Sequence, residues 1–231
     1  MSPEEIYKEF DFPELKPVVR FDKKSLPKGV PTHVIPPVWL GQDSDLIPLS
    51  EAEILLTDFG ESFQPSTTPR YWRESWGAGI RLPPEAYFLP RESLSFPSDI
   101  WALACAIWEL IGLYPLFDTL MRDPTADDVI EQHVDLLGKL PPEWWQRWDA
   151  RSGVEGELMG SFEERFDEMQ ESRRSQETEE VSEEEKVALI KLLKAMMAFK
   201  PGDRMTAKQI IESEWMKEWA LPELSRLKKA K

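Results

Sequence analysis

Fifteen consecutive residues, SDIWALACAIWELIG at 98–112, carry only two charges, Asp99 and Glu109. Trp101, Ala104, Cys105 and Trp108 recur at the three- and four-residue spacing of a helix. Ser98 is a natural N-cap and Gly112 a natural stop, so the spacing predicts a helix from Ser98 to Leu110. A helix this apolar on nearly every side cannot lie on a surface. Other elements must surround it, which makes it the centre of a mainly α fold.

The sequence around it supplies such elements. TADDVIEQHVDLL, 125–137, reads as a helix capped by Thr125, with Asp127 and Asp128 in the first turn where the helix dipole favours acids. PPEWWQRW reads as a short helix opened by prolines and burying indoles. SEEEKVALIKLLKAMMAF begins with a capping box, Ser182 and Glu185, and offers Val187, Ile190, Leu193 and Met197 as its buried stripe. A second box, Thr206 with Gln209, opens a last helix carrying Ile210, Ile211 and Trp215.

Upstream the pattern changes. Residues 1–50 are dense in proline (PELKPVV, SLPKGVPTHVIPPVWLG), which forbids long helices and central strands. We read an extended segment pinned to a surface by Val18, Val19, Ile35, Val38, Trp39 and Leu40. A short strand is expected at 53–57, followed by a loop from Asp58 to Pro84. The expected organisation is a proline-rich segment at 1–50, a helical lobe at 51–221 with an acidic insertion at 150–182, and a basic tail at 222–231.

Charge and composition exclude several functions. The net charge of −15 argues against general nucleic-acid binding. From Glu155 to Glu185 there are 13 acids against 3 arginines, read as a solvated, mobile insertion or, more sharply, as a docking surface for a basic partner. No segment reaches the roughly 18 apolar residues of a membrane span, and the acidic N-terminus is unlike a signal peptide, so an intracellular protein is expected, in cytoplasm or nucleus. The single cysteine, Cys105, lies in the central apolar run and reads as a buried small hydrophobe.

Four motifs fall in one order: ILLTDFG at 54–60, LPPEA at 82–86, SDIWALAC at 98–105 and FKPGDRMTA at 199–207. Together they resemble the C-terminal lobe of a protein kinase over about 50–218. The long proline-rich lead-in, LPPEWWQRW and the insertion before the penultimate helix look most like the SR-protein-kinase-like group, especially its divergent fungal members. The resemblance implies ATP and Mg²⁺ as cofactors of the complete enzyme and a protein substrate, with basic Arg/Ser-rich sequences suited to an acidic surface.

The resemblance also assigns roles. Asp58 is the metal ligand at the nucleotide phosphates, Phe59 sets the motif's orientation and Gly60 lets the chain turn. Glu85 and Arg204 match a buried salt bridge that ties the activation segment to the lobe. Asp99 matches the acid that holds the catalytic loop from below. Ala78 and Arg81 stand where the family commonly has Thr and Tyr in its activation segment. Ser62, Ser66, Thr67, Thr68 and Ser75 offer hydroxyls to a phosphate there, an unremarkable feature of a loop.

Other family elements do not occur. His33 and His133 are each followed by Val, so there is no His-Arg-Asp loop. GAGIRL at 77–82 holds only half of a Gly-rich loop. VALIK at 187–191 lies on an amphipathic helix after the Asp-Phe-Gly and cannot be the anchoring strand. No catalytic residue is therefore expected within these 231 residues, and tight nucleotide binding is not expected either. Two further readings stand beside a kinase: a non-catalytic lobe working as an interaction module, and a truncated gene product. Under each, the surface left by the missing lobe would expose apolar side chains and promote association.

Overall fold

The computed structural model describes residues 2–10, 12–37, 41, 46–48, 51, 54–74, 81–112, 114–117, 124–153 and 161–230. It divides into two compact units, 1–54 and 55–231.

In the first unit, helix α1 (Pro3–Phe10) forms where an irregular segment was expected. The overlooked signal is a capping box: the Glu5 amide donates to Ser2 Oγ at 3.2 Å and the Ser2 amide to Glu5 Oε2 at 2.5 Å. Pro3 is harmless in a first turn, because its missing N–H would have had no helical partner. Two-residue strands β1 (Lys16–Pro17) and β2 (His33–Val34) pair antiparallel, Lys16 opposite Val34. None of the unit's described residues is buried, and Val19 and Ile35 are exposed. Val38, Trp39 and Leu40 lie outside the described residues.

The second unit is built on helix α3 (Phe96–Gly112) and also holds α2 (Glu85–Phe88), α4 (Ala126–Leu137), α5 (Pro142–Trp145), α6 (Phe162–Ser175), α7 (Glu183–Met196), α8 (Ala207–Ile211) and α9 (Leu221–Ala230). Helix α3 begins earlier than Ser98 suggests, since Pro97 is tolerated in the first turn. Trp101, Ala104, Cys105 and Trp108 are all buried. They pack with Leu136 of α4, Phe162, Phe166 and Met169 of α6, and Leu189, Leu193 and Met196 of α7. A second, smaller core joins Phe88, Ile130, Val134, Leu140, Trp144 and Trp148, with Phe88 stacked on Trp144 at 5.0 Å.

Helix α3 can end as it does because residue 112 has no side chain. A Cβ there would meet Trp108 Nε1 at 2.9 Å, and that indole is wholly buried among Tyr114, Phe162 and Phe166. Gly112→Ala is therefore expected to cost about 1–3 kcal/mol of stability, against the small gain that a helical Gly→Ala otherwise brings. Chemical denaturation followed by tryptophan fluorescence measures it, and a neutral or stabilising result would contradict this packing.

The acidic stretch behaves differently from a solvated insertion over 162–175. Ser161 and Glu164 form a capping box for α6. One face of α6 buries Phe162, Phe166 and Met169, and buried Gln170 bonds both to the Val181 carbonyl, at 2.6 Å, and to the Val181 amide, at 3.0 Å. Arg173 donates to the Ile111 carbonyl at the end of α3 at 2.8 Å, and Arg165 to the Leu116 carbonyl at 3.0 Å. The acids point outward, where Glu163 meets Lys194 at 2.8 Å and Asp167 meets Lys186. High net charge and a buried face coexist because they occupy opposite sides of one helix.

The α7 stripe is rotated from expectation: Val187 is 65% exposed, whereas Ile190, Leu193 and Met197 are buried as read. The Glu185 amide does donate to Ser182 Oγ at 3.2 Å. Its carboxylate accepts from Trp215 Nε1 at 3.1 Å, so the capping box is only half made. The Thr125 and Thr206 caps form in full.

Candidate functional site

The Asp-Phe-Gly stretch sits in a tight exposed turn. Residues 54–57 were expected to be a strand, yet they form none; a strand needs a hydrogen-bonded neighbour, and no described residue pairs with them. Asp58 adopts φ 63° and ψ 51°, a left-handed conformation that costs a non-glycine residue about 1 kcal/mol or more. Phe59–Glu61 then make one 3₁₀ turn, closed by the Ser62 amide and hydroxyl, which donate to the Phe59 carbonyl at 3.0 and 2.6 Å. Phe59 is 65% exposed and does not pack into a core.

An aspartate carboxylate presented to solvent is a suitable oxygen ligand for a hard divalent cation. One carboxylate is not a site, however. Among the described residues, no group of three or more His, Cys, Asp or Glu could hold a metal ion. Asp58 could supply one oxygen ligand, and the rest of any coordination shell would have to come from water, a bound molecule or groups outside the described residues.

Twenty-seven residues on, the chain is fixed firmly. Glu85 and Arg204 are both buried and meet in a two-pronged ion pair, Nη1 to Oε1 at 2.8 Å and Nη2 to Oε2 at 2.5 Å. The guanidinium also donates to the carbonyls of Ala198 (2.8 Å), Pro97 (2.9 Å) and Phe199 (3.2 Å). All five of its N–H donors are therefore satisfied, and its face lies 5.0 Å from the Trp101 ring centre. One side chain ties α2, the start of α3 and the 198–204 turn together.

A cavity of about 450 Å³ is lined by Glu61, Trp72, Arg81, Phe96 and Asp99 among others; neither Asp58 nor the Glu85–Arg204 pair is part of its wall. Asp99 stands in the first turn of α3, where desolvation raises its pKa above the usual carboxylate range. Arg81 reaches Glu109 of α3 at 2.9 Å, an ion pair that the sequence reading did not anticipate. Burial, reinforced by Glu109, pushes the Cys105 thiol up to about 12, so the thiol is inert, as read. Ala78 and Ser75 lie outside the described residues.

The structure thus brings together Glu85 with Arg204, and Arg81 with Asp99 across one cavity. His133, fully buried against Trp101, was not singled out as a site residue, and no spacing rule would have pointed to it.

The protein kinase domain model matches residues 45–216, and the chain belongs to the protein kinase family. One relative, a probable cyclin-dependent kinase 8 from Dictyostelium discoideum, is 29% identical over 129 residues. The match takes in 54% of this chain and 31% of the relative, so the chain corresponds to about a third of that protein.

Proposed function

We propose that these residues form the helical, substrate-side part of a serine/threonine protein kinase of the SR-protein-kinase-like group. The observation that carries the reading is the buried Glu85–Arg204 pair downstream of an Asp58 carboxylate held out in a left-handed turn. When bound, ATP with Mg²⁺ would supply the phosphoryl group and the positive charge that offsets its transfer. This chain's own part would be one metal ligand, Asp58, and a fixed floor for the peptide, Pro83–Phe88.

The reading extends to substrate and partners. A basic Arg/Ser-rich protein would suit the outward acids of α6, and the cytoplasm or nucleus would suit such a substrate. No described helix is long and apolar enough to cross a membrane. On its own the chain would be inactive, because its sequence holds no catalytic-loop base, Gly-rich loop or anchoring lysine. The second reading, a non-catalytic interaction module, draws on exposed Leu55, Leu56 and Phe59, which offer apolar surface to a partner.

The first measurement is the mass of the endogenous polypeptide, from a blot with an antibody to 155–185. A band well above 26.8 kDa is the expected result and moves kinase assays to the longer protein. There, Asp58→Asn should lower phosphate transfer to an Arg/Ser peptide by 10²-fold or more, as loss of a charge-stabilising group does. Activity surviving Asp58→Asn would overturn the role of Asp58. A band at 26.8 kDa, with no nucleotide binding by calorimetry, would favour the interaction module.

A further inference from the structure

Helix α4 belongs to both cores: Ile130 and Val134 face the Phe88–Trp144 cluster, and Leu136 faces the α3 cluster. His133 lies fully buried on the same helix. Its ring meets Trp101 edge-on at 4.9 Å and Phe117 at 5.0 Å. Among the described residues, neither ring nitrogen has a hydrogen-bond partner, and neither does the neighbouring Trp101 Nε1. A neutral imidazole can occupy such a place as a small aromatic ring. An imidazolium cannot, since it would bring two N–H donors and a charge into a pocket that accepts neither.

The groups around it give no relief. Helix α3 presents Trp101 and the 116–117 turn presents Phe117, neither of them titratable in the relevant range. The 198–204 turn presents the Arg204 guanidinium, which carries the same sign as a protonated imidazole and lies over Trp101. On α4 itself, Asp127 accepts from Trp148, Asp128 is engaged with Thr125, Asp135 with Arg165, and Glu131 is exposed. Among the described residues no carboxylate hydrogen-bonds to His133, and Glu85 of α2 is held in its two-pronged pair with Arg204.

We propose that His133 is an acid-sensitive catch. When neutral it holds α4 against α3; when protonated it must leave the core, releasing α4 and with it the Glu85–Phe88 segment that packs on α4. The inference does not depend on whether the chain transfers phosphate. It is consistent with the imidazole's pKa, which burial and then Arg204 lower to about 3. The folded pKa is depressed below the unfolded value near 6.5, so the stabilisation is complete above about pH 6.5 and is lost as pH falls towards 3.

The window from pH 7.0 to 5.5 isolates the effect, because the chain has only two histidines and most carboxylates stay ionised there. Asp99, whose pKa is raised, changes stability in the opposite direction. Urea unfolding of the full chain is expected to show an unfolding constant about 8-fold larger at pH 5.5 than at 7.0, one proton being taken up by the unfolded state. His133→Phe should abolish that difference and His33→Asn should keep it. At pH 5.5, amide protection corrected for intrinsic exchange should fall in α4 and 85–89 before it falls in α7.

An undiminished pH effect in His133→Phe would overturn the proposal, as would equal loss of protection in α4 and α7. Should the variant fail to fold, imidazole NMR of the wild-type chain decides. A His133 resonance, assigned by comparison with the His33→Asn spectrum, that titrates near pH 6.5 with the fold intact would overturn the catch; one that stays neutral until α4 opens would support it.

Discussion

Arg204→Ala is expected to lower the unfolding free energy by about 3–5 kcal/mol, among the largest losses any single substitution in this chain should produce. The size follows from what remains. Glu85 would keep a buried carboxylate with no counter-charge, and the carbonyls of Ala198, Pro97 and Phe199 would each lose a charge-assisted bond. Glu85→Ala should fall in the same range, since it strands a guanidinium whose side chain is wholly inaccessible. Arg204→Lys should recover only part of the loss, because an ammonium cannot donate to two carboxylate oxygens and three carbonyls at once. An apolar pair at the two positions is often neutral for a buried ion pair, but here it would leave three carbonyls bare and should still destabilise. Urea denaturation read by tryptophan fluorescence gives all four values. An Arg204→Ala cost under about 1 kcal/mol would mean that the pair is solvated.

The central helix and the Thr125, Ser182 and Thr206 caps were legible because each depends on residues within one or two turns. Helix α1 was missed because proline density outweighed a four-residue capping box, although Pro3 in a first turn is no obstacle. The strand expected at 53–57 did not form over its described residues, 54–57, for the opposite reason: apolar character was local, whereas a strand needs a partner from elsewhere. Charge misled over 162–175. The negative sum hid Phe162, Phe166 and Met169, which share one helix face. At the site, Glu85 and Arg204 lie 119 residues apart. Nothing in either neighbourhood announces the other, and only the family resemblance joined them. Arg81–Glu109 and the burial of His133 depend on the packed structure and have no signature in the chain's order.

Phe166→Ala tests that correction directly, with an expected cost of about 3–5 kcal/mol. In a solvated insertion the same change would stay within about 0.5 kcal/mol. Phe166 is fully buried, lies edge-on to Trp108 at 6.3 Å and carries the Lys186 ammonium 5.4 Å from its ring centre. Removing it would leave a void against α3 that Trp108, pinned by Phe162, Tyr114 and the close approach at Gly112, cannot relax to fill. Phe166→Leu should lose much less, since it keeps most of the volume. Glu168→Gln on the exposed face of the same helix should be nearly neutral, so the contrast between faces is the measurement. Were Phe166→Ala as mild as Glu168→Gln, the acidic stretch would be an appendage. The expected contrast makes α6 a wall of the core, through which its outward acids are fixed in place relative to α3, Asp99 and Glu109.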